Sequence, residues 1–234
     1  MVKIQIFASL KLSTKRKKEN NMGITLAKGQ GLTLEKAENN LSLVTIGLGW
    51  DIAEQKKGFL GGLFGGQTAE YDLDVIAFLC DANGKVQNLG RDASGHPTLN
   101  NSDVIFFNNL KHPSGHIWLT GDNRTGAGDG DDEQIIVKLN SLSSTYHKIV
   151  FIVQIYEGNK NKQHFGQVQN AFIRAVDASG KEMVRFNLSG QGQYEQQRSL
   201  LFAELVRENS GWKFNAIGSS SDSDNFVEWL KQYV

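Results

Sequence analysis

Residues 120–133 combine acids and glycines at an unusual density. Five acids and four glycines fall within this segment, which lies between two predicted strands. Carboxylates so close together repel one another unless a cation neutralises them. Glycines allow sharp turns that expose carbonyl oxygens, and Ca²⁺ takes about six to eight oxygen ligands of both kinds. The segment therefore indicates either a solvated acidic turn or a Ca²⁺ site, and its lack of Cys and His disfavours Zn²⁺.

The segment does not match an EF-hand. Asp122 and Glu133 stand at the correct separation for the two ends of such a loop. The third position, however, is Arg124, and the sixth is Ala127, where an EF-hand requires Gly. The flanking residues also have the pattern of strands rather than helices. Stricter octahedral geometry makes Mg²⁺ a poorer match than Ca²⁺ for an irregular loop of this kind.

Polar residues at three other predicted strand ends extend this candidate site. Asp72 and Asp74 are spaced i, i+2 and so share one side of a strand, where two carboxylates are costly unless paired or metal-bound. A β-sandwich gathers its loops at one end, which favours a shared site, and the alternative is that these groups only mark strand ends at the rim of the sandwich. The predicted ligands for one or two Ca²⁺ ions are Asp72, Asp74, Asn108, Asn109, Asp122, Asn123, Gly126, Asp129, Asp131, Asp132, Glu133 and Glu157.

The elements that must position these residues are short strands. The chain has 25 Gly and 2 Pro, and short apolar runs alternate with turn residues. The turns at 81–84, 177–180 and 209–211 indicate hairpins. The fold class is therefore all-β, an antiparallel sandwich of two sheets with a short C-terminal helix. Strands are predicted at 43–50, 71–80, 104–109, 117–120, 135–139, 148–157, 172–176, 183–188, 199–207 and 212–217.

Charge and composition divide the chain into three parts. Residues 1–21 carry a net charge of +5 (six basic residues and one acid), so residues 22–234 carry −5. This basic N-terminal arm is predicted to be a disordered terminus or a weak contact for anionic lipid or nucleic acid, and Met22 is an alternative natural start. Residues 22–218 form the sandwich. Residues 219–234 are predicted to form a linker, Ser219–Ser221, and a helix with Phe226, Leu230 and Tyr233 on one face.

Several motifs resemble the TerD family of tellurite-resistance and stress proteins over about residues 22–218. Residues 121–133 are similar to its signature G-D-N-x-T-G-x-G-x-G-D-D-E. Other similar stretches are the opening at 23–34, G-L-G-W-D at 47–51, the D-L-D pair at 72–74, F-Y-N-N-L at 106–110 and F-G-Q-V-x-N-A-F-I-R at 165–174. The resemblance implies a bacterial, calcium-binding β-sandwich in the cytoplasm or at the inner face of the membrane, without catalytic activity. It also implies partners among tellurium-resistance or stress-complex proteins.

Two features depart from the family pattern. Ala127 stands where an acid is usual, which implies one carboxylate fewer near the site. Residues 55–67 form an insertion similar to that of TerZ-type members, with four large apolar residues among glycines after two lysines. This tip is either a surface loop that folds back on the body or an apolar contact for a membrane interface or partner. The four residues are Phe59, Leu60, Leu63 and Phe64.

The sequence offers little for an enzyme. It has no nucleophile elbow, P-loop or strand-to-helix G-x-G-x-x-G, and an acidic body gives no strong nucleic-acid signal. His112 and His116 flank Pro113 and Gly115, which exclude a regular helix, so both are predicted to be surface or packing residues. We therefore expect a calcium-binding, non-catalytic interaction protein of a stress response. The alternative is a divalent-metal-dependent hydrolase.

Overall fold

The structure is a computed structural model that describes residues 23–52, 71–120, 130–188, 192–209 and 211–234, with Ile52 by its backbone alone. The described part contains twelve strands and two single-turn α-helices. Turns of 3₁₀ helix lie at Phe165–Gln167 and Gly192–Tyr194. The strands are β1 (Ile24–Leu26), β2 (Gly31–Glu35), β3 (Val44–Ile52), β4 (Leu73–Cys80), β5 (Val104–Ile105), β6 (Ile117–Thr120), β7 (Glu133–Val137), β8 (Lys148–Ile155), β9 (Val168–Val176), β10 (Glu182–Asn187), β11 (Ser199–Arg207) and β12 (Gly211–Ser221). The helices are α1 (Gly158–Asn161) and α2 (Val227–Leu230).

The strands form two sheets, as the alternation in the sequence predicts. Sheet A has the order β1-β10-β9-β3-β7-β6, and sheet B has the order β2-β12-β11-β8-β4-β5. The predicted hairpins β9–β10 and β11–β12 are both present as antiparallel pairs. One pair departs from the antiparallel prediction, because β1 runs parallel to β10.

A single apolar core fills the space between the sheets. Alternate residues of each central strand point into it, such as Leu73, Val75 and Ala77 of β4 and Ile149, Phe151 and Val153 of β8. This period of two is the pattern expected where a strand has one face on the core. The opposite residues of β4 are also fully buried, which shows that sheet B is covered on its outer face as well.

The C-terminal segment provides that cover. Phe226, Trp229 and Leu230 pack on Ile76 and Phe78 in a second, smaller apolar cluster, and Tyr233 packs partly buried against it. The predicted helix is therefore confirmed, and it lies on the sandwich. Asn225 Oδ1 accepts a hydrogen bond from the Val227 N–H, whereas Glu228 pairs with Lys231 rather than closing a capping box.

Three local predictions are wrong. Ser219–Ser221 is no linker: these residues are the end of β12 and pair with Ser199–Leu201, because β11 offers a strand partner along their full length. The strand predicted at 104–109 ends at Ile105, since Phe106 and Asn109 bond to each other and close a turn. The Asn-Gly turn at 81–84 forms, yet no strand follows it, because Val86 bonds to the Tyr233 carbonyl instead of pairing with β4.

Candidate functional site

Parts of the two acidic segments lie side by side in the fold, although Asp74 and Asp131 point to the outer faces of different sheets. Glu133 opens β7 in sheet A, and its Oε2 accepts a hydrogen bond of 2.7 Å from the Val75 N–H in β4 of sheet B. Glu133 is only 3% exposed. The neighbouring strand β5 is short and pairs only with Ala77 and Phe78 of β4, so it does not reach Val75. The Glu133 carboxylate therefore accepts the Val75 N–H, which would otherwise lack a strand partner. Residues 72–74 and 131–133 therefore lie together where the two sheets approach each other.

Asp132 fixes the chain beside the end of β3. Its Oδ2 accepts a hydrogen bond of 2.9 Å from the Trp50 N–H, and its own N–H donates to the Leu48 carbonyl. Trp50 and Asp132 are both buried, so the carboxylate gives the Trp50 N–H a partner at the point where β7 has not yet begun. The acidic segment therefore lies against the Gly-Leu-Gly-Trp-Asp stretch at the end of β3.

Asp131 lies on the outer face of sheet A and is held by a cation. Arg174 Nε donates to its Oδ1 at 2.8 Å, and Gln134 Nε2 donates to Oδ2 at 3.2 Å. Burial lowers the pKa of Arg174, but the bonds and charges of Asp131 and Glu182 outweigh it and raise that pKa overall. Gly47 makes room for the carboxylate, because a Cβ there would lie 2.2 Å from it. Sequence reasoning missed Arg174, although it stands within the F-G-Q-V-x-N-A-F-I-R stretch.

Asp74 points to the outer face of sheet B, opposite to its neighbours Leu73 and Val75. Gln154 Nε2 donates to Asp74 Oδ2 at 3.1 Å, and Gln154 Oε1 accepts from the Phe226 N–H at 2.9 Å. Asp74 thus helps to anchor the C-terminal segment. Asp72 precedes β4, where its carbonyl accepts the Tyr156 N–H at 2.8 Å.

The remaining described candidates lie in turns. Asn109 Nδ2 donates to the Val104 carbonyl at 2.6 Å and Oδ1 accepts from the Asn101 N–H, so its amide braces the 101–109 loop. Asn108 is exposed on the same turn. Glu157 caps α1 with φ 50° and pairs with Lys160. These contacts give Asn109 and Glu157 local structural roles.

The other predicted ligands, Asp122, Asn123, Gly126 and Asp129, lie outside the described residues, as do the 1–21 arm and Phe59, Leu60, Leu63 and Phe64 of the insertion. Among the residues that are described, no three or more His, Cys, Asp or Glu side chains come together as a metal-binding group. The described acids match a hard cation in donor chemistry, since they are oxygen ligands. They do not by themselves form a complete site.

The fold and these motifs define a TerD-type β-sandwich. Residues 22–233 match the TerD domain family, and the chain belongs to that family. It is 66% identical to the tellurium resistance protein TerX of Serratia marcescens, over 91% of this chain and the whole of that protein. It is 38% identical to the stress response protein SCP2 of Bacillus subtilis, again over 91% of this chain and all of the relative.

Solved structures agree with this assignment at the level of the fold. A homologue of the telluride resistance protein TerD from Streptomyces coelicolor superposes with a TM-score of 0.56 at 23% identity, covering 83% of this chain and 99% of that one. The family is one of tellurium-resistance and stress-response proteins, and the names of the relatives mention no catalytic activity. Within the described residues, no helix has the length and apolar character needed to cross a bilayer.

Proposed function

We propose that this chain is a calcium-binding module of a bacterial tellurite-resistance and stress response, and that its calcium site is non-catalytic. It acts in the cytoplasm, at or near the inner face of the membrane, on other proteins of that response. The observation that supports the calcium site is the contact between Glu133 and Val75, because it brings the Asp72 end of β4 beside the acidic segment. The proposed ligands are the acids and amides predicted from the sequence, one or two ions sharing them.

The described acids among these ligands differ in where they lie in the fold. Asp131 is neutralised by Arg174, and Asp74 bonds Gln154, so both contribute to the fold with or without an ion. Asp72 and Asp132 precede β4 and β7, so both lie at the strand ends that the contact between Glu133 and Val75 brings together, and Asp132 also bonds the Trp50 N–H there. We therefore expect these two, with the acids of 121–129, to carry most of the Ca²⁺ dependence.

Calorimetry with Ca²⁺ and melting in chelator against Ca²⁺ test the site. At about a hundredfold excess over Kd, a ligand stabilises the folded state by about 2.7 kcal/mol. We expect binding heat, a higher melting temperature in Ca²⁺ and poor replacement by Mg²⁺. In the Asp72→Asn and Asp132→Asn variants, the melting temperature should no longer differ between chelator and Ca²⁺. Asp92→Asn is the control, because Asp92 lies in an exposed turn and should leave the difference intact.

The result that overturns the site is an equal melting temperature in chelator and in millimolar Ca²⁺ together with no binding heat. A phosphoesterase screen of the metal-loaded protein addresses the alternative, a divalent-metal-dependent hydrolase. Turnover that needs the metal would support that alternative over a non-catalytic role.

The peripheral membrane contact is a separate part of the proposal. It rests on four apolar residues beside two lysines in the insertion, Phe59, Leu60, Leu63 and Phe64. Replacing Phe59 and Phe64 with Ser should weaken co-sedimentation with anionic liposomes while the melting temperature stays close to wild type. A large loss of stability would show instead that these rings are core residues.

A further inference from the structure

Three side chains outside the acidic site form a continuous hydrogen-bonded chain. Ser114 Oγ lies 2.7 Å from His112 Nδ1, and His112 Nε2 lies 3.0 Å from Asp103 Oδ1. Asp103 and His112 are buried, at 2% and 6% exposure, whereas Ser114 is exposed to solvent. A hydroxyl, an imidazole and a carboxylate in this order are the components of an activated serine nucleophile.

The surrounding contacts fix the tautomer of the imidazole. The Ser114 backbone N–H points to His112 Nδ1 at 3.1 Å, so this nitrogen must present its lone pair. The ring proton is then on Nε2 and is donated to Asp103. Nδ1 is left as the acceptor, and its nearer partner is the Ser114 hydroxyl.

The carboxylate is held in place by two further donors. The Tyr146 hydroxyl donates to Asp103 Oδ1 at 2.8 Å, and the Asn88 N–H donates to Oδ2 at 3.0 Å. Burial opposes the charge of Asp103, but the bonds from His112, Tyr146 and Asn88 outweigh it and lower its pKa. Asp103 is therefore ionised and positioned to stabilise a protonated imidazole.

The turn between His112 and His116 presents the serine. Pro113 presets its own φ, the Gly115 N–H bonds the His112 carbonyl, and Gly115 takes a φ of 69°. The His116 N–H donates to Ser114 Oγ at 3.2 Å, which leaves the hydroxyl proton to point at Nδ1. The oxygen is thus oriented by the backbone on one side and open to solvent on the other.

We propose that Ser114 is a nucleophile towards small activated esters, with His112 as general base and Asp103 as its positioning residue. Ser114 Oγ bonds the ester carbonyl carbon while its proton moves to His112 Nδ1. The ester C–O bond then breaks, and that proton passes to the leaving alcohol. Water attacks the acyl-serine in the same way, which releases the carboxylic acid and restores the hydroxyl. The step needs no metal and does not rest on the calcium site.

The test uses the full chain, p-nitrophenyl acetate, and a fluorophosphonate probe located by mass spectrometry. We expect p-nitrophenol release and a probe adduct on Ser114, both unchanged by chelator. Ser114→Ala should lower release by about 10²-fold, the lower range for general-base assistance. Ser94→Ala is the matched control: Ser94 is also exposed and lies between an Asp and a His, yet His96 there bonds Asp92 rather than the hydroxyl.

Asp103→Asn tests the positioning role. It should lower kcat with little change in KM, because substrate does not contact Asp103, and circular dichroism reports whether the variant folds. Since Ser114 is exposed, Ser114→Ala decides the outcome even if Asp103→Asn does not fold. Release that is equal in wild type and Ser114→Ala, with no adduct on Ser114, would overturn the proposal.

Discussion

Replacement of Phe226 by Ala is the sharpest test of how the C-terminal segment contributes to the fold. Phe226 is 7% exposed, and its ring centroid lies 5.2 Å from that of Phe106 and 6.3 Å from that of Phe78. Its backbone N–H also bonds Gln154, which in turn bonds Asp74. The substitution would remove the ring from the cluster that covers sheet B while leaving that backbone bond in place.

Phe226→Ala should cause a large loss in the free energy of unfolding, although Phe226 lies near the chain end. Truncating a buried Phe to Ala costs about 3–5 kcal/mol, part of it for the cavity that remains. α2 is a single turn and can shift to fill some of the space, so we expect about 3 kcal/mol, at the lower end of that range. A change of this size lowers the melting temperature by about 6–12 °C for a domain of this length.

Thermal unfolding followed by circular dichroism measures this effect. Val227→Ala is the matched control, because Val227 directly follows Phe226 as the first residue of α2 and is 36% exposed. Ala also favours a helix, so the control should stay within about 0.5 kcal/mol of wild type. If Phe226→Ala melts within about 2 °C of wild type, well below the shift expected for a core Phe, the segment does not belong to the cooperative unit.

Three further outcomes follow from buried groups. Gly47→Ala should destabilise by about 1–3 kcal/mol, because the new Cβ meets the Asp131 carboxylate; unchanged thermal melting would contradict this. Burial raises the pKa of Cys80 to about 12, so Ellman's reagent should react only on unfolding, and rapid reaction at pH 8 in the native state would refute it. For Asp177, burial opposes ionisation, but bonds from Ser179, Asn40 and Lys181 outweigh it and lower its pKa. The ionised Asp177 stabilises the fold above its unfolded pKa, and this stabilisation is lost as pH falls through the lower folded pKa. In urea unfolding, wild type should therefore be more stable than Asp177→Asn near neutral pH, and this difference should shrink below about pH 4. A difference that stays constant with pH would contradict this prediction.

Local patterns were sufficient to predict most of the strands. β6 and β11 begin and end where alternation places them, because one buried face imposes a period of two on the sequence. The turn at 177–180 was equally local, since Asp177 and Gly180 close it within the hairpin. Pairing between distant strands was not accessible in this way. Nothing near Ile24 indicates a parallel partner in β10, and nothing in Ser219–Ser221 reveals that β11 extends beside it.

The partners of the acids in the candidate site likewise depend on contacts between distant parts of the chain. The density of acids indicated either a neutralising cation or a solvated turn, and each described acid of 131–133 bonds a protein donor. Which partner satisfies an acid depends on contacts across the fold. Asp131 faces Arg174, 43 residues away along the chain, and Glu133 faces a backbone N–H of the opposite sheet. A sequence pattern alone does not distinguish such partners from a metal ion.

These contacts also determine what removal of an ion should do. Asp131, Asp132 and Glu133 tie the end of the acidic segment to β9, β3 and β4 through protein donors. The bond from the Val75 N–H to Glu133 joins the two sheets at this point, so chelation should leave the far-ultraviolet circular dichroism of the sandwich intact. The Ca²⁺-dependent part of the stability, about 2.7 kcal/mol at a hundredfold excess over Kd, would then arise from ordering around the ion rather than from assembly of the sheets. Complete unfolding in chelator at 25 °C would show instead that the acids depend on the ion to hold the two sheets together.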